Sequence, residues 1–107
     1  MATSKGYLEF VLEQLSGLED ITYRQMMGEY ILYYRGKIVG GVYDDRLLLK
    51  PVKSALEIAS EAVYEIPYEG AKPMLLADVD DRERLQMMFE AMFDELPETK
   101  PKKSKNV

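Results

Sequence analysis

A chain of 107 residues has room for one hydrophobic core and not for two. At 47% hydrophobic and 31% charged it has the composition of an ordinary globular domain. It contains neither cysteine nor histidine, which excludes disulfides, thiolate metal sites, thiol nucleophiles and any chemistry that needs imidazole. The formal net charge is −5 and unevenly spread. Residues 97–107 hold four lysines (Lys100, Lys102, Lys103, Lys105) and one glutamate, a net +3, which leaves −8 on residues 1–96. An acidic body is a poor match for a phosphate backbone, so direct nucleic-acid binding ranks last. The N-terminus lacks the apolar core of a secretory signal and no apolar run reaches membrane length, so the cytoplasm is the expected compartment.

Ser4 is placed to cap a first helix running to about Ser16. Leu8, Val11, Leu12, Leu15 and Leu18 form its apolar stripe, and Gly17 follows as a left-handed C-cap. Four short strands come next, at 21–27, 29–35, 38–44 and 47–50, rich in β-branched and aromatic residues. The breaks fall at Gly28, at Arg35-Gly36-Lys37 and at Asp44-Asp45-Arg46. Loops this short permit only antiparallel pairing. Alternation in the second strand puts Tyr30, Leu32 and Tyr34 on the side that helices cover. The Gly40-Gly41 pair marks a bulge or a close backbone approach.

Pro51 opens a second helix expected to end near Glu61 or Ala62. Residues 64–70 read as an irregular extended piece, an edge strand or a loop, since Pro67 forbids a central strand. Residues 72–77 supply a fifth strand. Asp80, with Glu83 three residues on, caps a last helix whose stripe is Leu85, Met88, Phe89, Met92, Phe93 and Leu96. Pro97 stops it, and the lysine-rich remainder is expected to be disordered. The predicted fold is α+β, a two-layer sandwich in the order α-β-β-β-β-α-β-α. An antiparallel meander of about five strands carries helices on one face. One domain spans 1–96 and the tail 97–107.

Few residues point to chemistry. Asp78-Val79-Asp80-Asp81 fails as a calcium loop, because Glu83 and Phe89 stand where glycine and glutamate are needed. There is no phosphate loop and no nucleophile elbow, and no lysine or tyrosine is singled out for acid–base work. No cofactor and no metal is expected, and the chain reads as a non-enzyme. Eight tyrosines without a tryptophan are a skewed set, concentrated in the meander. With an apolar body and a polar tip, they suit a recognition surface.

Three segments, Met27-Gly28-Glu29-Tyr30, Tyr33-Tyr34-Arg35-Gly36-Lys37 and Asp45-Arg46-Leu47-Leu48-Leu49-Lys50, resemble in order and spacing the signature of the TfoX/Sxy N-terminal domain. Pro67-Tyr68-Glu69-Gly70-Ala71-Lys72-Pro73-Met74 is similar to that family's run into its last strand. Glu29 stands where members often carry a second glycine. The resemblance implies an antiparallel sheet with helices on one face and no catalytic residues. It also implies kinship with regulators of bacterial DNA-uptake competence, which act with a cyclic-AMP-receptor-type transcription factor and typically carry a second, helical domain that this chain lacks. The expectation is therefore a non-enzymatic interaction domain that binds another protein, such as a transcription factor, in transcriptional regulation. Its candidate surface is Tyr30, Tyr34, Lys50, Tyr68 and Lys72, and an open sheet edge adds the expectation of a homodimer. The alternative is a small-ligand binder in which Gly40-Gly41 and tyrosines line a pocket between sheet and helix.

Overall fold

The computed structural model describes residues 3–59 and 61–97. The lysine-rich tail, expected to be disordered, lies outside the described residues except for Pro97. Helix α1 (Lys5–Gln14) leads into strands β1 (Ile21–Met26), β2 (Glu29–Tyr34), β3 (Lys37–Val42) and β4 (Leu47–Leu49). Helix α2 (Lys53–Ile58), strands β5 (Tyr64–Glu65) and β6 (Met74–Leu76) and helix α3 (Arg82–Met92) follow, the last ending in a 3₁₀ turn at Phe93–Glu95. The strands form one antiparallel sheet in the order β1-β2-β3-β4-β6-β5. The fold is thus the α+β meander with helices on one face that the sequence predicts, with six strands instead of five.

Turn chemistry dictates the meander. Met27 and Gly28 (φ 55° and 85°), Arg35 and Gly36 (53° and 87°), and Asp44 and Asp45 (53° and 57°) each form a two-residue connection with both residues at positive φ. This is the primed geometry that matches the twist of the strands it joins. The ladder between β2 and β3 shifts register between Leu32 and Tyr33, which leaves Val39 as the extra residue of a bulge beside Gly40. The glycine pair therefore does mark a bulge, and a close approach as well. A side chain on Gly40 would run into the Leu48 carbonyl oxygen and stand 2.8 Å from Leu49 Cα. At Gly41 it would meet the Tyr30 carbonyl oxygen and the Tyr43 ring, each at 2.7 Å. Neighbouring strands and a tyrosine ring fill the space beside both glycines, so the pair does not open the ligand pocket of the alternative reading.

One core joins the helices to a single face of the sheet. Leu8, Val11 and Leu15 of α1, Ala55 of α2, and Leu85, Met88, Phe89 and Met92 of α3 pack with Tyr30, Leu32, Tyr34, Leu47, Leu49 and Leu75. Ser4 caps α1 as expected, its hydroxyl accepting from the Tyr7 N–H at 3.2 Å. The N-terminal residues are tied down further. The buried Thr3 hydroxyl donates to Glu29 Oε1 at 2.6 Å, and Asp45 Oδ1 accepts from the Ser4 N–H at 2.9 Å. Glu29 also accepts from the Asp44 N–H at 3.1 Å. A carboxylate at this position thus joins the chain start to the β3–β4 turn, which a glycine there could not do.

Several boundaries differ from the sequence reading. Strand β5 takes the edge-strand option left open for residues 64–70. Two residues are too few to show a period, and the strand ends before Pro67, as an edge strand allows. Helix α2 begins two residues after Pro51 and ends at Ile58, because Val52 and Ala59 are extended (ψ 165° and 134°). Asp81, not Asp80, caps α3, its side chain accepting from the Arg84 N–H at 3.2 Å. Gly17 is not left-handed. It leaves room for the Gln86 side chain, whose Oε1 would lie 2.6 Å from a Cβ there.

Helix α2 lacks a side-chain cap of its own and borrows one from the end of α3. Glu95 Oε1 accepts from the Ser54 N–H at 2.9 Å and from the Ser54 hydroxyl at 3.0 Å. These bonds hold the Glu95 carboxyl below its ordinary range, with Lys53 adding a smaller effect in the same direction. A lowered folded pKa stabilises above the unfolded value and ceases to do so as pH falls through the folded value. Urea unfolding should find Glu95→Gln less stable than the parent at pH 7, the difference closing as the pH is taken down through the acid range.

Candidate interaction surface

Alternation along β2 sets the two faces of the sheet. Tyr30, Leu32 and Tyr34 are buried under the helices, while Glu29, Ile31 and Tyr33 are half-buried on the opposite face. Register carries this second face across the sheet. Arg24 and Gly41 flank Ile31, Thr22 and Ile38 flank Tyr33, and Leu48 lies between Gly41 and Leu76. The face is therefore apolar and aromatic through its middle. Leu48 is fully buried yet stands outside the core under the helices.

Part of this face is covered by the connection between β5 and β6. Arg46, in the β3–β4 hairpin, is anchored in its own turn and reaches the end of β5 and the first residue of that connection. Its Nε donates to the Tyr43 carbonyl at 3.1 Å, it pairs with Glu65, and Nη2 donates to the Ile66 carbonyl at 3.3 Å. Pro67 is buried, and the Tyr68 ring lies 6.1 Å from that of Tyr43 at an interplanar angle of 57°. Burial pushes the Tyr43 phenol above its ordinary pKa, and Tyr68 and Glu29 add to the rise. It stays a protonated hydrogen-bond donor well above neutral pH. Ile66 and Tyr68 are exposed at this rim, as are Met26 and Met27 at the β1–β2 turn. Large apolar side chains thus stand exposed beside a half-covered aromatic strip, chemistry that suits contact with another macromolecule.

The candidate residues read from the sequence separate into two groups. Tyr30 and Tyr34, 8% and 5% exposed, belong to the core and not to the surface. Tyr30 stands edge-on to Tyr23, and Tyr34 packs against Phe89 and Phe93. The physical reason is the strand's own alternation, which already places them on the helix-covered side. Tyr68 is 63% exposed, Lys72 is exposed, and Lys50 is half-buried at the end of β4. Tyr68 is brought to Tyr43 and not to Tyr30 or Tyr34. The second face carries Ile31 and Tyr33 instead, each one residue away from a core tyrosine, a placement that period two signals; the positions of Tyr43 and Ile66 depend on contacts between separate strands. Among the described residues, no group of three His, Cys, Asp or Glu is placed to hold a metal.

The family model of the TfoX N-terminal domain matches residues 13–89 of this chain. The chain is also 36% identical over 107 residues to an uncharacterized 12.7 kDa protein in the trpE 5′ region of Spirochaeta aurantia, the match covering 98% of this chain and 93% of that protein. No solved structure matches it significantly. The matched span runs from the end of α1 through the whole sheet to Phe89 of α3, so it takes in the core and the second face alike, and the chain belongs to the TfoX N-terminal domain family.

Proposed function

We propose that this chain is a non-enzymatic, protein-binding domain that serves transcriptional regulation and engages its partner through the second face of the sheet. The TfoX N-terminal domain is not a known enzyme family, and its membership supports an interaction or regulatory domain. The observation that carries the reading is the half-buried apolar strip of Ile31, Tyr33 and Ile38, which continues into buried Leu48 beside Tyr43 and Tyr68, with Ile66 and Met27 exposed. A second layer of secondary structure would bury such a strip in a larger protein. Here the strip is left for a partner, with tyrosine hydroxyls to fix orientation. Lys72 stands exposed near the same rim and is a candidate for the polar border of the contact.

Site-specific photocrosslinking in the native organism tests this. A benzophenone amino acid at Tyr33 or Tyr68 should give one discrete adduct with a transcription regulator, and the same probe at Glu90 on the outer side of α3 should give none. Equal labelling at all three positions, or none at any, would remove the second face as the contact. A single adduct with a metabolic enzyme would keep the face and overturn the regulatory assignment.

A further inference from the structure

The two edges of the sheet are unequal. Strand β5 is two residues long and runs into Pro67, a blunted edge. Strand β1 has six residues, Ile21–Met26, paired with β2 in unbroken register and carrying no proline and no bulge. Five of its six residues are exposed. The Arg35 N–H donates to the Asp20 carbonyl at 2.9 Å, so the backbone groups of Asp20 point toward β2. Alternation along the strand then directs those of Thr22, Arg24 and Met26 inward and turns those of Ile21, Tyr23 and Gln25 to the outside.

We propose that β1 pairs antiparallel with β1 of a second copy of this chain about a two-fold axis through Tyr23, joining two sheets into one. Outward-facing residues must stand opposite outward-facing residues, which a two-fold through a strand residue satisfies. Centred on Tyr23, the strand overlaps its copy over Ile21–Gln25, with Ile21 opposite Gln25 and Thr22 opposite Arg24. Arg24 then has the copy's Asp20 and Arg24 as its two diagonal neighbours, and the acidic pair Glu19-Asp20 just before the copy's β1 is within reach of its long side chain. The complementarity occurs twice. Centring the axis on Arg24 instead would set the two guanidinium groups directly opposite each other and carry them away from the copy's Asp20. On the helix side, Tyr23 is 48% exposed and leans edge-on against Tyr30, which leaves its free side for the same ring of the copy. Met27, 96% exposed at the tip of the β1–β2 turn, comes to rest beside the copy's Glu19-Asp20 corner.

Sedimentation equilibrium and single-cysteine crosslinking test the pairing, and a chain without cysteine makes the second clean. The parent should sediment at twice its monomer mass at tens of micromolar, and Arg24→Glu should sediment as a monomer with an unchanged circular dichroism spectrum. Mixing Arg24→Glu with a Glu19→Lys/Asp20→Lys variant should restore the dimer, since each charge again meets its opposite. Tyr23→Cys should form an intermolecular disulfide at least tenfold faster than Gln25→Cys, because only position 23 faces itself across the axis. A monomeric parent, an Arg24→Glu dimer as tight as the parent, or equal crosslinking at positions 23 and 25 would each overturn the proposal. These readouts use the purified chain alone, so they stand or fall separately from the partner-binding surface.

Discussion

Gly40→Ala is expected to lower the unfolding free energy by about 3 kcal/mol, at or above the upper end of what ordinary overpacking costs. The added methyl group would meet backbone, the Leu48 carbonyl and Leu49 Cα, and backbone cannot rotate aside as a side chain can. Relief requires β4 to move away from β3, which loosens the ladder of Gly40, Gly41 and Val42 with Leu49, Leu48 and Leu47. It also disturbs the packing of Leu47, Leu49 and Val39 in the core. Against a total of roughly 5–15 kcal/mol for a domain, such a loss is large. Gly36→Ala is the control. Nothing lies within 4 Å of a Cβ there, and only the positive φ of 87° opposes the change. That strain costs about 1–2 kcal/mol. Urea denaturation should rank parent above Gly36→Ala above Gly40→Ala; the reverse order would mean that the two strands part at little cost.

The second large effect is expected at Phe89. Its side chain is fully buried in the middle of α3, with the ring of Tyr34 6.0 Å away. Phe89→Ala should destabilise by about 3–5 kcal/mol, the sum of lost burial and a cavity that the sheet beneath cannot close. Two neighbours on the same helix end give the scale. Phe93 is half-buried, its ring facing Tyr34 on one side and the cations of Arg35 and Lys37 at 4.7 and 4.1 Å. Phe93→Ala should therefore cost less, losing packing together with two cation–π contacts of about 0.5–1 kcal/mol each. Met87 is exposed, and Met87→Ala should fall within about 0.5 kcal/mol of the parent. Thermal melts of the three variants check the order; a Phe89 variant as stable as the Met87 variant would mean that α3 is not docked by this ring.

The elements legible in the sequence are those whose signals are local. Ser4 as a cap, the three glycine- or aspartate-bearing turns and the α3 stripe of Leu85, Met88, Phe89 and Met92 each depend on a few adjacent residues, and each was found. Strand β5 and the early end of α2 depend on a partner elsewhere: Tyr64 and Glu65 become a strand only because Leu75 and Met74 lie alongside. The candidate surface was harder for a related reason. Strand β2 reads Tyr-Ile-Leu-Tyr-Tyr from Tyr30, apolar or aromatic on both faces, with no polar residue to mark an exposed side. Period two placed Tyr30 and Tyr34 toward the helices, and family likeness named the same pair as contacts. Only one of these could hold, and the packing of Phe89 and Phe93 on Tyr34 decides it. The second face itself depends on Leu48, Tyr43 and Tyr68 meeting across separate strands, a relation no local pattern contains.

The attachments of α1 also bear on how the protein is made. Helix α1 is made before the sheet and α3, and while Glu29 and Asp45 hold the residues that open it, the bonds at its far end come from much later in the chain. Val79 accepts from the Gln14 side chain at 2.7 Å, Gln86 donates to the Gln14 carbonyl at 2.9 Å, and Arg82 donates to the Ser16 hydroxyl at 2.7 Å. These contacts join residues 65 to 72 positions apart, whereas the hairpins from β1 to β4 close between neighbours in the chain. During synthesis the sheet can therefore form while Leu8, Val11 and Leu15 still lack the part of their cover that α3 supplies. A polypeptide interrupted before Arg82 would hold a finished meander and a loose apolar helix, a form open to degradation. The last helix thus completes the cover of the first, which is sealed only once α3 has been made.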